Sequence, residues 1–209
     1  NTGIDRFSRD GKNLSPIEPN ATAYQNLSTP SGLALGPDGI LYVADSKQNC
    51  IATFSPDGQR LNTWGHKGVL DGEFREPWGV ALDQKGIVYV TDTLNHRVQT
   101  FTTNGTWTGT WGSKGSDIGR FSNPTGILAD SDGLIYISDS GNHRIQVFTS
   151  NGTALGEIIP YSADLGGRLG VNGLFKNPDG DMFAISNSKG SILKILWSLK
   201  EQGTINGSI

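Results

Sequence analysis

The sequence predicts an all-β fold: a β-propeller of four 47-residue, four-stranded blades preceded by an N-terminal half-blade. Three observations predict it. The chain repeats itself at a shift of 47 without a gap. Gly32, Gly79, Gly126 and Gly173 keep that spacing, as do Gly39, Gly86, Gly133 and Gly180. Within each copy, short apolar and β-branched runs alternate with Gly, Asn and Asp turns, the grammar of strands and hairpins. The composition agrees. Apolar residues are only 35% while glycine reaches 29 of 209 residues, which suits many short strands joined by tight turns.

Taken in order, residues 1–26 hold two strands of a half-blade and a polar linker. There Ile4, Phe7 and Gly11 stand 47 before Ile51, Phe54 and Gly58. The blades follow at 27–73, 74–120, 121–167 and 168–209. In the second copy "GVALD" is the inner strand, "IVYVTD" the second, "RVQTFT" the third and "TWTGTWG" the fourth. Tyr42, Tyr89, Tyr136 and Phe183 repeat in the second strand. Ile51, Val98, Ile145 and Ile192 repeat in the third. Asn104-Gly105 and Asn151-Gly152 read as two-residue hairpin turns that accept a positive φ.

"FREPWGVALDQKGIVYVTDTLNHRVQTFTTNG" and "FSNPTGILADSDGLIYISDSGNHRIQVFTSNG" resemble NHL repeats. The resemblance rests on Pro-x-Gly, Asp-x-x-Gly, Tyr-[VI]-x-Asp and the Asn-His-Arg-[IV]-Gln tail. It implies an NHL-type β-propeller, a fold that serves in sensors, scaffolds, RNA binders and enzymes alike. The first copy departs from the motif with "SKQNCI" and the fourth with "NSKGSI".

Asn95, His96, Arg97 and Asn142, His143, Arg144 invite a catalytic reading, because histidine titrates near neutrality. The repeat argues for a structural turn motif instead. Equivalent positions in successive blades face different sectors, and two copies lack the motif. Asp45, Asp92 and Asp139 precede the turn and are placed to accept its amides. Arg97 and Arg144 are expected to pair with such a carboxylate, in their own blade or the next. Trp64 and Trp111 are expected to pack between outer strands. Trp78 stands where the other copies carry Ser31, Thr125 and Asn172. It reads either as an exposed anchor or as packing. With Arg75 and His66 it makes up the candidate binding residues.

The favoured function is a binding or assembly scaffold for a protein or glycan partner, including other copies of the chain. The alternative is a propeller enzyme. The family resemblance implies one such relative, the peptidyl-hydroxyglycine amidating lyase domain, which uses a metal with histidine ligands. The inner strands here carry no histidine, and three scattered histidines make no ligand set, so neither a metal nor a cofactor is predicted. No Gly-x-Ser-x-Gly elbow or phosphate-binding glycine loop occurs. Twenty acidic against 17 basic residues, with no basic run, argue against nucleic acid. No apolar run reaches the roughly 20 residues of a membrane helix, so no membrane insertion is predicted.

Asn-x-Ser/Thr triplets begin at Asn13, Asn20, Asn26, Asn104, Asn151 and Asn206. Chance gives about two or three in a chain of this composition. Together with a single cysteine, Cys50, they point to an extracellular or cell-surface glycoprotein. The chain starts at Asn1 and reads as a processed form or a fragment. The half-blade strands are expected to meet C-terminal blade material, in the same chain or in a neighbour. An open strand edge is otherwise a template for further strands.

Overall fold

A computed structural model of the chain describes residues 4–14, 17, 26–162, 167–177, 179–186 and 190–195. The N-terminal hairpin pairs β1 (Arg6–Phe7) with β2 (Asn13–Leu14). The first blade is β3 (Pro30–Leu35), β4 (Leu41–Asp45), β5 (Cys50–Phe54) and β6 (Arg60–Trp64). The second is β7 (Pro77–Leu82), β8 (Val88–Asp92), β9 (Arg97–Phe101) and β10 (Trp107–Trp111). The third is β11 (Pro124–Ala129), β12 (Leu134–Asp139), β13 (Arg144–Thr149) and β14 (Ala154–Ile158). Each is one antiparallel sheet whose strands neighbour each other in chain order. A short hairpin, β15 (Tyr161–Ser162) with β16 (Gly167–Arg168), decorates the next connection. The fourth blade is described as β17 (Gly173–Lys176), β18 (Met182–Ser186) and β19 (Ser191–Ile195). The residues after β19, whose "EQGTINGSI" matches a fourth strand poorly, lie outside the described residues. Among those residues the only helical turns are 3-10 turns at Thr93–Asn95 and Ser140–Asn142.

The blades stack in sequence through period-two burial. On β8, Tyr89 faces the third blade while Val88 and Val90 face the first. The same split recurs at each junction, giving four apolar clusters, one between each consecutive pair of units. Phe54, Phe101 and Phe148 fill the same slot in successive clusters and are essentially fully buried. Each contributes roughly 1.5–3 kcal/mol by leaving water. Trp64 and Trp111 complete the slot, lying 6.2 Å from Phe101 and Phe148 of the following blade.

The repeated glycines of the inner strands have a steric cause. A Cβ on Gly32, Gly79 or Gly126 would lie 2.4 Å from the carbonyl oxygen of Trp78, Thr125 or Asn172 in the following blade. Only a residue without a side chain lets neighbouring inner strands approach this closely.

One feature differs from the sequence-based expectation. At the hairpin tips only the glycine is left-handed, with Gly105 at φ 88° and Gly152 at φ 84°. Asn104 and Asn151 precede it in the ordinary region. Gly105 N–H donates to Thr102 O and Thr102 N–H to Thr106 O, so the tip is a longer turn closed by the glycine. The N-terminal strands β1 and β2 pair with each other. Ile4 and Ile17 cover Val43, Ala52 and Phe54 of the first blade, as the outer half of a preceding blade would. The C-terminal residues 196–209 that they were to meet lie outside the described residues.

Candidate functional site

The Asp…Asn-His-Arg-x-Gln residues converge in each of the two central blades. Asp92 is fully buried and accepts four bonds. These come from Arg75 N–H at 2.7 Å, Asn95 Nδ2 at 2.8 Å, Arg97 Nε at 2.8 Å and Gln99 Nε2 at 3.1 Å. Arg97 Nη2 also donates to the carbonyls of Leu70 and Glu73. Gln99 donates to Glu73 O and accepts from Gly72 N–H. Asp139, Asn142, Arg144 and Gln146 repeat this arrangement on residues 115–122. The long connection from the preceding blade is thus tied down at its carbonyls, which a loop otherwise leaves to water. Each arginine makes its closest ion pair within its own blade, at 2.8 Å, and Arg97 also lies 3.9 Å from Asp71 of the preceding connection. In the first blade Asp45 accepts, among the described residues, only backbone amides, from Ser28, Thr29 and Gln48.

His96 and His143 each follow a 3-10 turn in the left-handed region, at φ 56° and 54°. His96 Nδ1 accepts a bond from Asn123 N–H of the third blade at 3.1 Å. Asn49 occupies the same frame position in the first blade at φ 58° and accepts from Glu76 N–H at 2.9 Å. The residue at this position therefore combines a tolerated left-handed backbone with an acceptor for the next blade. Burial, Lys114 and Arg75 hold the His96 imidazole below its ordinary pKa, while Asp139 and Asp92 act in the opposite sense.

Beside this turn, at the junction of the first and second blades, lies a cleft of about 210 Å³. It is lined by Ser46, Lys47 and Asn49 from the first-blade turn, by Lys67 and Arg75 with Glu76 from the connection, and by Leu94 of the second-blade turn. Arg75 was expected in a site and reaches this one. His66 points elsewhere, with Nε2 3.2 Å from Glu73 Oε1. Trp78 is 37% exposed at the start of β7. Its place in the frame would otherwise supply a hydroxyl: Ser31 and Thr125 donate to the inner strand of the next blade. Thr91 supplies that bond in the second blade, 2.6 Å from Thr125 O, which relieves Trp78 of the task. Lys47 and Lys67 were missed from sequence. Lys47 and Arg75 break the repeat, since the next junction has Leu94 and Ser122 there, whereas Lys67 recurs as Lys114 and carries no such signal.

Other expected sites separate. Asn104 and Asn151 are exposed at successive hairpin tips, and Asn13 is exposed on β2. The Thr106 and Thr153 hydroxyls donate to the side-chain carbonyls of Asn104 and Asn151 at 3.0 and 3.1 Å. Asn26 is half-buried, and its carbonyl is taken by Gln48. Asn20 and Asn206 lie outside the described residues. Cys50 is buried, and burial with the nearby Asp45 pushes its thiol up to about 11. No three His, Cys, Asp or Glu side chains gather as a metal site among the described residues. None of the helical turns is long and apolar enough to cross a membrane.

The sequence model of the family described as NHL repeat matches residues 27–54, 74–101 and 121–148. No curated protein sequence matches the chain. Among solved structures, virginiamycin B lyase from Staphylococcus aureus is similar at TM-score 0.61 and 17% identity, over 92% of this chain and 62% of that one. A chain of a nidogen/laminin complex is similar at TM-score 0.60 and 22% identity, over 82% and 65%. A protein of unknown function from Bacteroides caccae reaches TM-score 0.64 at 17% identity, over 93% and 71%. The chain thus spans under two thirds of the lyase and of the nidogen/laminin chain, and at these identities the likeness is one of fold.

Proposed function

The chain belongs to the NHL-repeat β-propeller proteins, and on that premise we propose that it is an extracellular, glycosylated scaffold that engages protein or glycan partners and other copies of itself. One observation carries the reading. Between blades, Tyr42, Tyr89 and Tyr136 with Ile51, Val98 and Ile145 are covered by the blade that follows. On the fourth blade the matching face displays Ile192, 68% exposed, beside Phe175 and Ile185. At the opposite end Leu33 and Leu35 are exposed, whereas Val80 and Ile127, which correspond to Leu33, are buried. The two faces are complementary by construction, since each junction in the chain joins one of each kind. A second copy placed head to tail covers both, and such a heterologous contact leads to rings or filaments.

Sedimentation velocity at rising protein concentration tests this. Association is expected for the chain and is abolished in Leu35→Lys and Ile192→Lys variants that keep the strand signal in circular dichroism. A chain that stays monomeric at every concentration overturns self-association. Glycosylation is supported by the exposed tips at Asn104 and Asn151. For protein secreted from eukaryotic cells, enzymatic deglycosylation is expected to lower the intact mass. An unchanged mass removes that part of the reading.

A further inference from the structure

We propose that the cleft between the first and second blades is a binding site for a doubly charged tetrahedral oxyanion, either sulfate or the phosphate of a monoester. Lys47, Lys67 and Arg75 reach it from the first-blade turn and from two points of the connection to the second blade. None of the three has an ion-pair partner among the described residues, although the chain has more acidic than basic side chains. Three basic groups and Glu76 leave a net lining charge of +2 (3 − 1), which such a dianion balances. Unpaired cations lining one cleft repel one another, and an anion between them offsets that repulsion.

The repeat supplies the internal control. The frame positions of Lys47, Lys67 and Arg75 are taken by Leu94, Lys114 and Ser122 at the second junction, and by Gly141, Tyr161 and Leu169 at the third. Lys67 recurs as Lys114 at the second junction, but Lys47 and Arg75 recur at neither later junction, so blade stacking needs no cation at those two places and the full basic set is particular to the first junction. Arg75 also holds a backbone amide on Asp92, which fixes where its side chain leaves the connection. The positive field extends past the cleft: Lys114 and Arg75 both help depress His96. Guanidinium and ammonium groups together give the planar fork and point charges that sulfate and phosphate oxygens accept. The site is separate from the end faces, so its test does not depend on self-association.

The test titrates the full chain with sodium sulfate and with sodium phosphate at constant ionic strength, following backbone amide shifts by NMR. Saturable shifts are expected at residues 46–49, 67 and 75–76. The Lys47→Leu, Arg75→Ser double variant carries residues already accepted at the second junction, so it is expected to fold. Its affinity is expected to drop at least about tenfold, the effect of roughly 1.4 kcal/mol of lost contact. Saturation by only one of the two anions names the oxyanion that the site takes. Linear shifts, no response, or equal affinity in the double variant overturns the site.

Discussion

The first and second blade junctions use the same frame positions and leave different things free. At the second junction His96 accepts the Asn123 amide, and the neighbouring positions are Leu94 and Ser122. At the first, Asn49 accepts the Glu76 amide, and the neighbours are Lys47 and Arg75. The acceptor and its left-handed backbone persist, while charge is added around them. The frame thus separates what stacks blades from what faces solvent. A residue that departs from it without loss of a structural bond is available for recognition.

The largest expected effect breaks the network that both junctions lean on. Asp92→Ala leaves the buried Gln99 and the largely covered Arg97 without their carboxylate, a cost of about 3–5 kcal/mol. Asp45→Ala in the first blade removes only amide acceptors, and about 1–3 kcal/mol is expected. Urea unfolding at unchanged m-value measures both. Equal losses would erase the distinction between a blade with the Arg-Gln network and one without it.

A smaller loss is expected from Gly79→Ala, whose Cβ would meet Thr125 O at 2.4 Å across the second junction. Overpacking of this kind costs about 1–3 kcal/mol. Gly156→Ala, with nothing within 4 Å of the new methyl, serves as the control and should cost little. If both variants unfold at the same urea concentration, close approach of the inner strands is not what keeps glycine there.

These residues also show what the sequence made legible. The 47-residue frame revealed blades, strands and the structural character of Asn-His-Arg, because each depends on local pattern. It marked Gly79 as special but not why, since the obstacle is a carbonyl of the next blade. It showed Trp78 as an oddity, but not that Thr91 takes over the bond. The cleft was legible only in part. Arg75 was singled out, but Lys47 and Lys67 come together with it only when the long connection folds back onto the turn. The half-blade matched the third and fourth strands of a blade, yet pattern alone did not tell which neighbour it covers.

The smallest expected effect sharpens the comparison most. His96→Asn installs at the second junction the residue that the first already uses, in the same left-handed conformation. Asparagine tolerates that region and offers a side-chain oxygen to the Asn123 amide, so stability at pH 8 should change by less than about 0.5 kcal/mol. His96→Ala lacks the acceptor and should lose about 1 kcal/mol. The pH dependence separates the two acceptors. Burial first, then Lys114 and Arg75, place the folded pKa of His96 below its ordinary 6.5, so the unfolded chain takes up the proton more readily. The histidine contribution is therefore complete above about pH 6.5 and is lost as pH falls through the lowered folded value. Asparagine does not titrate. The stability of His96→Asn relative to the unaltered chain should thus rise as pH is lowered from 8 to 5, measured by thermal unfolding at each pH. A difference that stays flat, or one that moves against the variant in acid, would mean that the neutral imidazole is not what joins the second blade to the third.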